Sequence, residues 1–261
     1  MDTDEFEIRG TTAVVTGASS GIGRAIAERF AREGLQVVVC SRSHERVESV
    51  ADAINERNYD GEALPVECDV TDWDAVEDLV EATTDAFGAI DVWVNNAGAS
   101  FVAPFEDISE NGWKTIVDIN LHGAFICAQV AGEAMRERGD GTIINISSVA
   151  ARDGAPGMSH YSAAKAGMNN LTRTLAYEWA EYGVRVNGIM PGLVATEGLE
   201  SQEGISADDI DRDVVDRQIG TPEEITTVVH FLASPAASYV LGETITVEGV
   251  PRIPRTRHHD K

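Results

Sequence analysis

The chain has 261 residues, 43% of them hydrophobic, and it carries a formal net charge of −24 at pH 7. This acidity argues against nucleic acid and membrane surfaces as partners, because binding phosphate groups requires a basic surface. The sequence has no apolar run of the roughly 18 residues that a membrane span needs, and its acidic N-terminus does not resemble a secretory signal. We therefore expect a cytoplasmic protein.

Lysine is scarce in this chain. Lys114, Lys165 and Lys261 are its three lysines, against 17 arginines and 44 acidic residues. Acidic residues spread along the whole chain indicate a solvated surface, and high salt would screen most of its self-repulsion. Our hypothesis for the charge is therefore adaptation to high salt.

The sequence predicts no metal site. Cys40, Cys68 and Cys127 lie far apart without a CxxC spacing, so we expect reduced thiols in the core and no disulfide. The six histidines show no ligand spacing such as HExxH. For His122 and His160 we favour structural or supporting roles over catalytic ones.

Seven short β-branched runs alternate with helical patterns. In chain order the predicted strands are residues 12–17, 36–41, 63–70, 90–98, 141–148, 184–192 and 243–249. Nearly continuous apolar strands are typical of a parallel sheet covered on both faces. Helices are predicted over 22–33, over about 160–182 and after Thr221, with Pro222 in the first position. The alternation predicts a single α/β domain over residues 1–261, a Rossmann fold with a doubly wound, seven-stranded parallel sheet.

The stretch TGASSGIG, residues 16–23, lies where the first strand turns into the first helix. Glycine lets the backbone approach a pyrophosphate closely, and the helix N-terminus offers unpaired N–H groups. Its Gly-x3-Gly-x-Gly spacing is weak evidence alone, but its position between a strand and an amphipathic helix strengthens it. The candidate cofactor-binding residues here are Gly17, Ser19, Ser20, Gly21, Ile22 and Gly23.

The second strand ends in a basic group. Arg42 stands 19 residues after Gly23 and is followed by Ser43. An acidic residue at such a place would bind a free ribose 2′-OH, whereas an arginine can hold a 2′-phosphate. Arg42 therefore favours NADP(H) over NAD(H), the alternative being a surface arginine past the end of a strand.

Tyr161 and Lys165 are four residues apart and share one face of a predicted helix. A neighbouring ammonium favours the phenolate and would lower the pKa of the tyrosine, which suits it to acid–base catalysis. An isolated YxxxK is common by chance, so the assignment depends on the motifs that accompany it.

Residues 197–217 hold eight acidic residues and two arginines, without a strand pattern. We interpret this segment as a helical flap beside the active site, and a mobile acidic surface loop is the alternative.

Four further motifs follow TGASSGIG in order: NNAG at 95–98, NISS at 145–148, Tyr161-x3-Lys165 and PG at 191–192. With this combination the sequence resembles the short-chain dehydrogenases/reductases over about residues 8–250. The patterns VRVNGIMPGLVAT and SYVLGETITVEG resemble the 3-oxoacyl-carrier-protein reductase-like and glucose-dehydrogenase-like branch.

The resemblance implies a catalytic set of Asn120, Ser148, Tyr161 and Lys165, with Ser147 as the weaker serine candidate. Ser148 would bond the substrate oxygen and Tyr161 would exchange the proton. Lys165 would bind the nicotinamide ribose, and Asn120 would support a proton-relaying water. No metal is required, because serine and tyrosine supply the polarisation.

The resemblance also implies the rest of the cofactor cleft. Val194 would contact the carboxamide, and Thr196 would bond either the carboxamide or a phosphate. The implied residues are Asp69 and Val70 beside the adenine, Asn96, Ala97 and Gly98 along the cleft, and Pro191, Gly192, Val194 and Thr196 around the PG motif.

These observations predict an NADP(H)-dependent oxidoreductase acting on a carbonyl or secondary alcohol, with NAD(H) as the alternative cofactor. The candidate pocket favours a ketone or 3-oxoacyl chain because its residues are mostly apolar: Ser100, Phe101, Val149, Ala150, Met158 and Leu193. The rivals are an NAD(P)-dependent sugar or polyol dehydrogenase and a non-catalytic nucleotide-binding regulator.

Two expectations concern assembly. Members of the family are usually tetramers, so the resemblance implies a homotetramer. The basic tail over residues 250–261 departs from the family pattern, and it would either cross a subunit interface or remain loose.

Overall fold

A computed structural model describes residues 3–250, and seven parallel strands form the central sheet in the order β3-β2-β1-β4-β5-β6-β9. A separate parallel pair, β7 with β8, lies outside this sheet. The strands are β1 Thr12–Thr16, β2 Gln36–Ser41, β3 Ala63–Glu67, β4 Val92–Asn95, β5 Gly141–Ile146, β6 Val184–Pro191, β7 Leu193–Val194, β8 Ile219–Gly220 and β9 Thr244–Val247.

Nine α-helices occur within residues 3–250. They are α1 Gly21–Arg32, α2 His44–Asn55, α3 Trp73–Phe87, α4 Glu110–Val117, α5 Gly123–Arg138, α6 Ala150–Asp153, α7 Ser159–Trp179, α8 Glu197–Glu203 and α9 Pro222–Ala233. A π-helical turn, Asp118–His122, joins α4 to α5. None of the described helices is long and apolar enough to cross a membrane.

The sheet is buried on both faces because successive strand residues point in opposite directions. Val15 and Val39 belong to one core cluster, which packs against α1, α2 and α9. Val14 and Val38 belong to the other, which packs against α3, α5 and α7. This two-sided burial explains why the strands are continuous apolar runs and not alternating ones.

The strand order reverses between β1 and β4, which pair directly with each other. In an open α/β sheet, a crevice forms beyond the carboxyl ends of the strands at such a reversal. Gly17 and Asn96 follow these two strands directly, so both lie at this crevice.

All seven predicted strands are confirmed, as is the doubly wound parallel fold. Several end earlier than predicted, because residues such as Asn96 and Ser148 already turn toward the crevice. The helix after Thr221 is confirmed with its capping box, in which Glu224 Oε2 accepts the Thr221 N–H at 2.9 Å. The β7–β8 pair and the π-helical turn were not predicted. The tail residues 251–261 lie outside the described part of the chain.

A buried chain of polar side chains ties α7 to the sheet. Trp93 Nε1 donates to Asn95 Oδ1 at 2.8 Å, and Asn95 Nδ2 donates to Asn145 Oδ1 at 2.9 Å. Asn145 Nδ2 then donates to Thr172 Oγ1 on α7 at 2.8 Å, and that hydroxyl donates to Met168 O. Asn95 and Asn145 are register partners on β4 and β5, so sheet pairing brings their amides together.

Replacing Asn145 with Ala should lower the free energy of unfolding by about 2–4 kcal/mol, because two buried partners lose their hydrogen bonds. Urea unfolding measures this loss. Asn170→Ala, a change at an exposed position of α7, is the control and should cost less than about 0.5 kcal/mol. Equal stability of the two variants would contradict the anchoring role of Asn145.

Candidate active site

The glycine turn is clamped by the loop after β4. The backbone N–H groups of Asn96 and Ala97 both donate to Thr16 Oγ1 at 3.0 Å. Asn96 Nδ2 donates to Thr16 O at 2.9 Å and to Gly17 O at 3.1 Å. The NNAG motif therefore shapes the turn that it lies beside.

Two glycines of the turn are required by close packing. Gly17 has φ +65°, and a Cβ there would lie 2.8 Å from Ala97 Cα. A Cβ on Gly23 would lie 2.4 Å from Asn96 Nδ2 and 2.6 Å from Gly17 O. Any side chain at either position would push the NNAG loop off the turn.

A cavity of about 380 Å³ runs from the glycine turn along the carboxyl edge of the sheet. Twelve of the predicted cofactor residues line it: Gly17, Ser19, Ser20, Gly21, Ile22, Arg42, Asp69, Val70, Asn96, Ala97, Gly98 and Thr196. Ser41, Arg46, Cys68, Ile119 and Gly198 also line it and were not predicted.

Seven predicted cofactor residues do not line this cavity: Tyr161 and Lys165, whose surroundings are given below, and the five residues Gly23, Ser43, Pro191, Gly192 and Val194. Gly23 lies behind the turn against Asn96, and Ser43 is the cap residue that precedes α2. The other three hold backbone positions. Pro191 O accepts the Val149 N–H at 3.0 Å, and the Gly192 N–H donates to Val247 O at 2.9 Å. Val194 is buried in the β7–β8 pair.

Arg46 is the main site residue that the sequence reasoning missed. It lies in the first turn of α2, one turn after Arg42, and both arginines line the same end of the cavity. Two arginines within five residues of the end of β2 were the available signal. Asp69 is oriented nearby, since its Oδ1 accepts from Thr71 N at 3.0 Å and Thr71 Oγ1 at 2.8 Å.

Ser148 and Tyr161 meet across the gap between β5 and α7. Burial raises the pKa of the Tyr161 phenol, and a hydrogen bond with the Ser148 side chain partly offsets that rise. Ser147 faces away, because its buried Oγ donates to Lys165 O at 3.2 Å. The geometry thus places Ser148, and not Ser147, beside the phenol.

Lys165 is 3% exposed, and its Nζ donates to Ile146 O at 2.8 Å. The ammonium lies 5.8 Å from the centroid of the Tyr161 ring. Burial lowers the pKa of Lys165 to about 8. The expectation that this lysine lowers the tyrosine pKa is wrong for the structure described, in which desolvation dominates and the ammonium is directed to a backbone carbonyl.

Asn120 lies in the π-helical turn and is fully buried. Its Nδ2 donates to Ala99 O at 2.7 Å and to Ile116 O at 2.9 Å, whereas its Oδ1 has no hydrogen-bond partner among residues 3–250. A Cβ on Gly98 would lie 2.8 Å from this Oδ1 and 3.7 Å from Lys165 Nζ. Gly98 therefore separates an unpaired acceptor from the ammonium and connects both to the cavity.

The two histidines near the site pack against aromatic rings. His160 is buried and meets Phe101 edge-on at 4.2 Å between ring centroids, and His122 stacks on Phe125 at 5.7 Å. These contacts agree with the structural roles that we favoured. Within residues 3–250, no three His, Cys, Asp or Glu side chains are grouped to hold a metal ion.

The three cysteines are distant in sequence but share one core cluster. Cys40 interacts with Cys68 by a side-chain hydrogen bond, and this contact and burial raise the pKa of Cys40. Burial likewise raises the pKa of Cys127. All three are free, buried cysteines in the described fold.

Chemically, the site combines a proton donor with a hydroxyl that can hold an oxygen atom. The phenol is protonated at neutral pH, the lysine ammonium lies one helical turn away, and Gly98 beside it lines the cavity. Such a set can move a proton to or from an oxygen while another group handles the electrons.

Comparison with known proteins points to the same kind of chemistry as the geometry of the site. A family model described as enoyl-(acyl carrier protein) reductase matches residues 17–249. The 3-oxoacyl-[acyl-carrier-protein] reductase of Synechocystis is 40% identical over 240 residues, covering 91% of this chain and 95% of that protein.

Two solved structures share the fold over almost the whole chain. A short-chain type dehydrogenase/reductase from Mycobacterium marinum has a TM-score of 0.86 and 36% identity, covering 94% of this chain and 97% of that one. The second structure is from Beutenbergia cavernae and is described as an NAD(P)-dependent gluconate 5-dehydrogenase. It has NADP bound at low occupancy. Its TM-score is 0.84 and its identity 38%, over 94% of this chain and 98% of that one.

The match of the family model, the similarity of these relatives and the doubly wound sheet agree over nearly all described residues. This protein therefore belongs to the short-chain dehydrogenase/reductase family and is an oxidoreductase.

Proposed function

We propose that the protein transfers a hydride between NADP(H) and a ketone, 3-oxoacyl or secondary alcohol substrate, using Asn120, Ser148, Tyr161 and Lys165. One observation carries the proposal. The Ser148 side chain lies beside the half-buried Tyr161 phenol and offsets part of the rise in its pKa, and a buried lysine lies one turn along the same helix.

The residues present fit a dinucleotide. Gly17 and Gly23 leave room that a Cβ would fill, and the first turn of α1 presents N–H groups to the cavity. When bound, the nicotinamide supplies or accepts the hydride. The side chains of this chain do the rest, which is binding, orientation and proton transfer.

Each member of the catalytic set has a role that follows from its surroundings. Ser148 holds the substrate oxygen, and Tyr161 Oη gives its proton in reduction or takes one in oxidation. Because burial raises the phenol pKa, reduction suits neutral pH and oxidation should become faster as the pH rises. Lys165 supplies positive charge. The unpaired Oδ1 of Asn120 can accept a hydrogen bond from a donor, such as a water molecule, that lies between Asn120 and Lys165.

The cofactor preference rests on Arg42 and Arg46. Both line the cavity beyond the end of β2. Ser41 is the other lining residue from this part of the chain, so none of the three is acidic. Guanidinium groups bind phosphate through paired, charge-assisted hydrogen bonds, so the pair suits a ribose 2′-phosphate. The NADP-bound relative from Beutenbergia cavernae supports this assignment.

A sugar or polyol dehydrogenase is the second candidate. The relative named gluconate 5-dehydrogenase, at 38% identity, favours it. Against it, the exposed Phe101 and Leu193 beside the site offer apolar surface and few hydrogen bonds for a polyol. A non-catalytic regulator is disfavoured because the whole catalytic set is retained.

Three properties complete the proposal. Exposed Phe125 on α5 and Tyr177 on α7 offer apolar surface for a homotetramer. Free buried thiols suit a reducing cytoplasm. The charge of −24 suits a salty medium, so substrate screens should be run at low and high salt with NADP(H) and NAD(H).

Tyr161→Phe tests the proposed chemistry. In a screen of carbonyls and alcohols, it should lower kcat by about 10²-fold or more, because general acid–base catalysis contributes that much. Titration should show the cofactor Kd unchanged. Tyr177→Phe, an exposed tyrosine on the same helix, is the control and should keep full activity. Near-normal turnover by the Tyr161 variant on an accepted substrate would contradict the assignment.

Arg42→Asp and Arg46→Met test the cofactor preference. Each should weaken NADP⁺ binding by about 10- to 100-fold, the worth of a charge-assisted hydrogen bond, and Arg42→Asp should shift the preference toward NAD⁺. Calorimetric titration measures both cofactors, with Arg32→Met at the far end of α1 as control. An unchanged ratio of the two affinities would exclude a 2′-phosphate site here.

Lys165→Met should abolish activity yet stabilise the fold at pH 7, because a buried cation is removed. The pKa of Lys165 is about 8 in the folded protein, below the ordinary 10.5. Between pH 8 and pH 10.5 the unfolded chain therefore keeps a proton on this lysine that the folded protein has lost. Wild-type stability should therefore rise from pH 8 to 10.5, and the variant should lack that rise. At pH 7 the free energy of unfolding of Lys165→Met should exceed that of wild type by about 1–3 kcal/mol, a range that allows for the lost hydrogen bond to Ile146 O.

Urea unfolding from pH 7 to 10 measures this difference. Lys114→Met serves as the matched control, since Lys114 is exposed and pairs only with Glu110 one turn away. A Lys165 variant that is less stable than wild type throughout this range would show that the lysine is not destabilised by burial.

A further inference from the structure

A hydrogen bond joins the acidic segment to the glycine turn. Glu197 Oε2 accepts the backbone N–H of Gly21 at 2.7 Å, across 176 positions of sequence. Glu197 is the first residue of α8, and the segment that it begins, residues 197–217, is called the flap here. The flap is thus attached at its first residue to the start of α1.

The N–H that Glu197 binds is one of a small set. The first backbone bond within α1 runs from Arg24 N to Ser20 O at 3.2 Å, so the N–H groups of Gly21, Ile22 and Gly23 have no acceptor inside the helix. The Ser20 side chain makes no capping bond to them. These groups form the positive end of α1, which favours any anion placed there.

The flap also forms part of the cofactor cavity. Gly198 of the flap and Thr196, the residue before it begins, line the cavity together with Gly21, and a Cβ on Gly21 would lie 3.2 Å from Thr196 Cγ2. Glu197 lies between these two wall residues in the chain and lines a neighbouring groove between α1 and the flap. Its bond to Gly21 therefore holds the wall of the cavity in place.

We propose that Glu197 is a latch residue. Its carboxylate holds the flap on the glycine turn while the cofactor is absent, and the cofactor's pyrophosphate competes with it for the positive end of α1. This inference rests on the proposed dinucleotide function. It makes arrival of the cofactor the event that weakens the bond between Glu197 and Gly21.

The charges determine the direction of the effect. A carboxylate and a pyrophosphate at one helix end either share the N–H groups under mutual repulsion, or the carboxylate leaves and loses its bond. Both outcomes cost binding free energy, so Glu197 lowers the affinity for the cofactor. The contact is exposed to solvent, which limits the size of the effect and makes it sensitive to salt.

Affinity measurements on charge variants test the competition. Glu197→Gln and Glu197→Ala should each bind NADP⁺ about two- to fivefold more tightly than wild type at low salt, the worth of one charge at a helix terminus. The gain should shrink at high salt. Glu200→Gln, which removes an equal charge one turn along α8 without a bond to Gly21, should leave the Kd within error.

A fragment provides the internal control. Adenosine 2′-monophosphate carries the 2′-phosphate but no pyrophosphate, so its affinity should be the same in all four proteins. Unchanged or weaker NADP⁺ binding by both Glu197 variants would overturn the competition, as would an equal gain in Glu200→Gln.

Amide hydrogen exchange without cofactor tests the latch by itself. The Gly21 amide and the amides of α8 should exchange faster in Glu197→Ala than in wild type or Glu200→Ala, and Glu197→Gln should retain part of the protection. Equal exchange in the Glu197 and Glu200 alanine variants would overturn the latch. If wild type binds no dinucleotide, the proposed function fails, and the exchange experiment still decides whether Glu197 holds the flap.

Discussion

The contact between Asn95 and Asn145 is the interaction on which the rest of the site depends. These two amides are register partners on adjacent parallel strands, and their bond continues through Thr172 into α7. Apolar packing alone would let α7 slide or rotate on the sheet, since hydrophobic contact is not directional. A buried polar chain with every partner satisfied permits one arrangement. That arrangement sets the helix carrying Tyr161 and Lys165 against the loop that carries Ser148.

Burial gives the proposed catalytic groups their acid–base character. The same desolvation raises the pKa of the Tyr161 phenol and lowers that of the Lys165 ammonium, because both charged forms lose water. In this state the pair is a neutral phenol near an ammonium that has become a stronger acid. The lysine is destabilising as a buried cation, and its retention in a chain with three lysines fits a functional use.

Anion binding is the second constraint, and it opposes the overall charge of the molecule. A chain with a net charge of −24 repels a phosphate-bearing cofactor at long range. Positive groups nevertheless line the cavity: Arg42 and Arg46 beyond β2, and the N–H groups at the start of α1 that have no acceptor inside the helix. One of those N–H groups is already bound to Glu197 from the flap. The acidic surface therefore extends into the cofactor site itself.

Local patterns were enough to predict the seven strands, the start of α9 and the glycine turn, because strand periodicity, helix caps and turn glycines act over a few residues. They could not identify the partners of a side chain. Arg46, the unpaired Oδ1 of Asn120 and the Glu197–Gly21 bond each depend on elements distant in sequence. The sequence by itself determined the fold class and the residue types available for chemistry. Only the tertiary structure decided that Ser148 and not Ser147 meets the phenol, and that desolvation outweighs the lysine at Tyr161, because burial and direction are properties of packing and not of spacing.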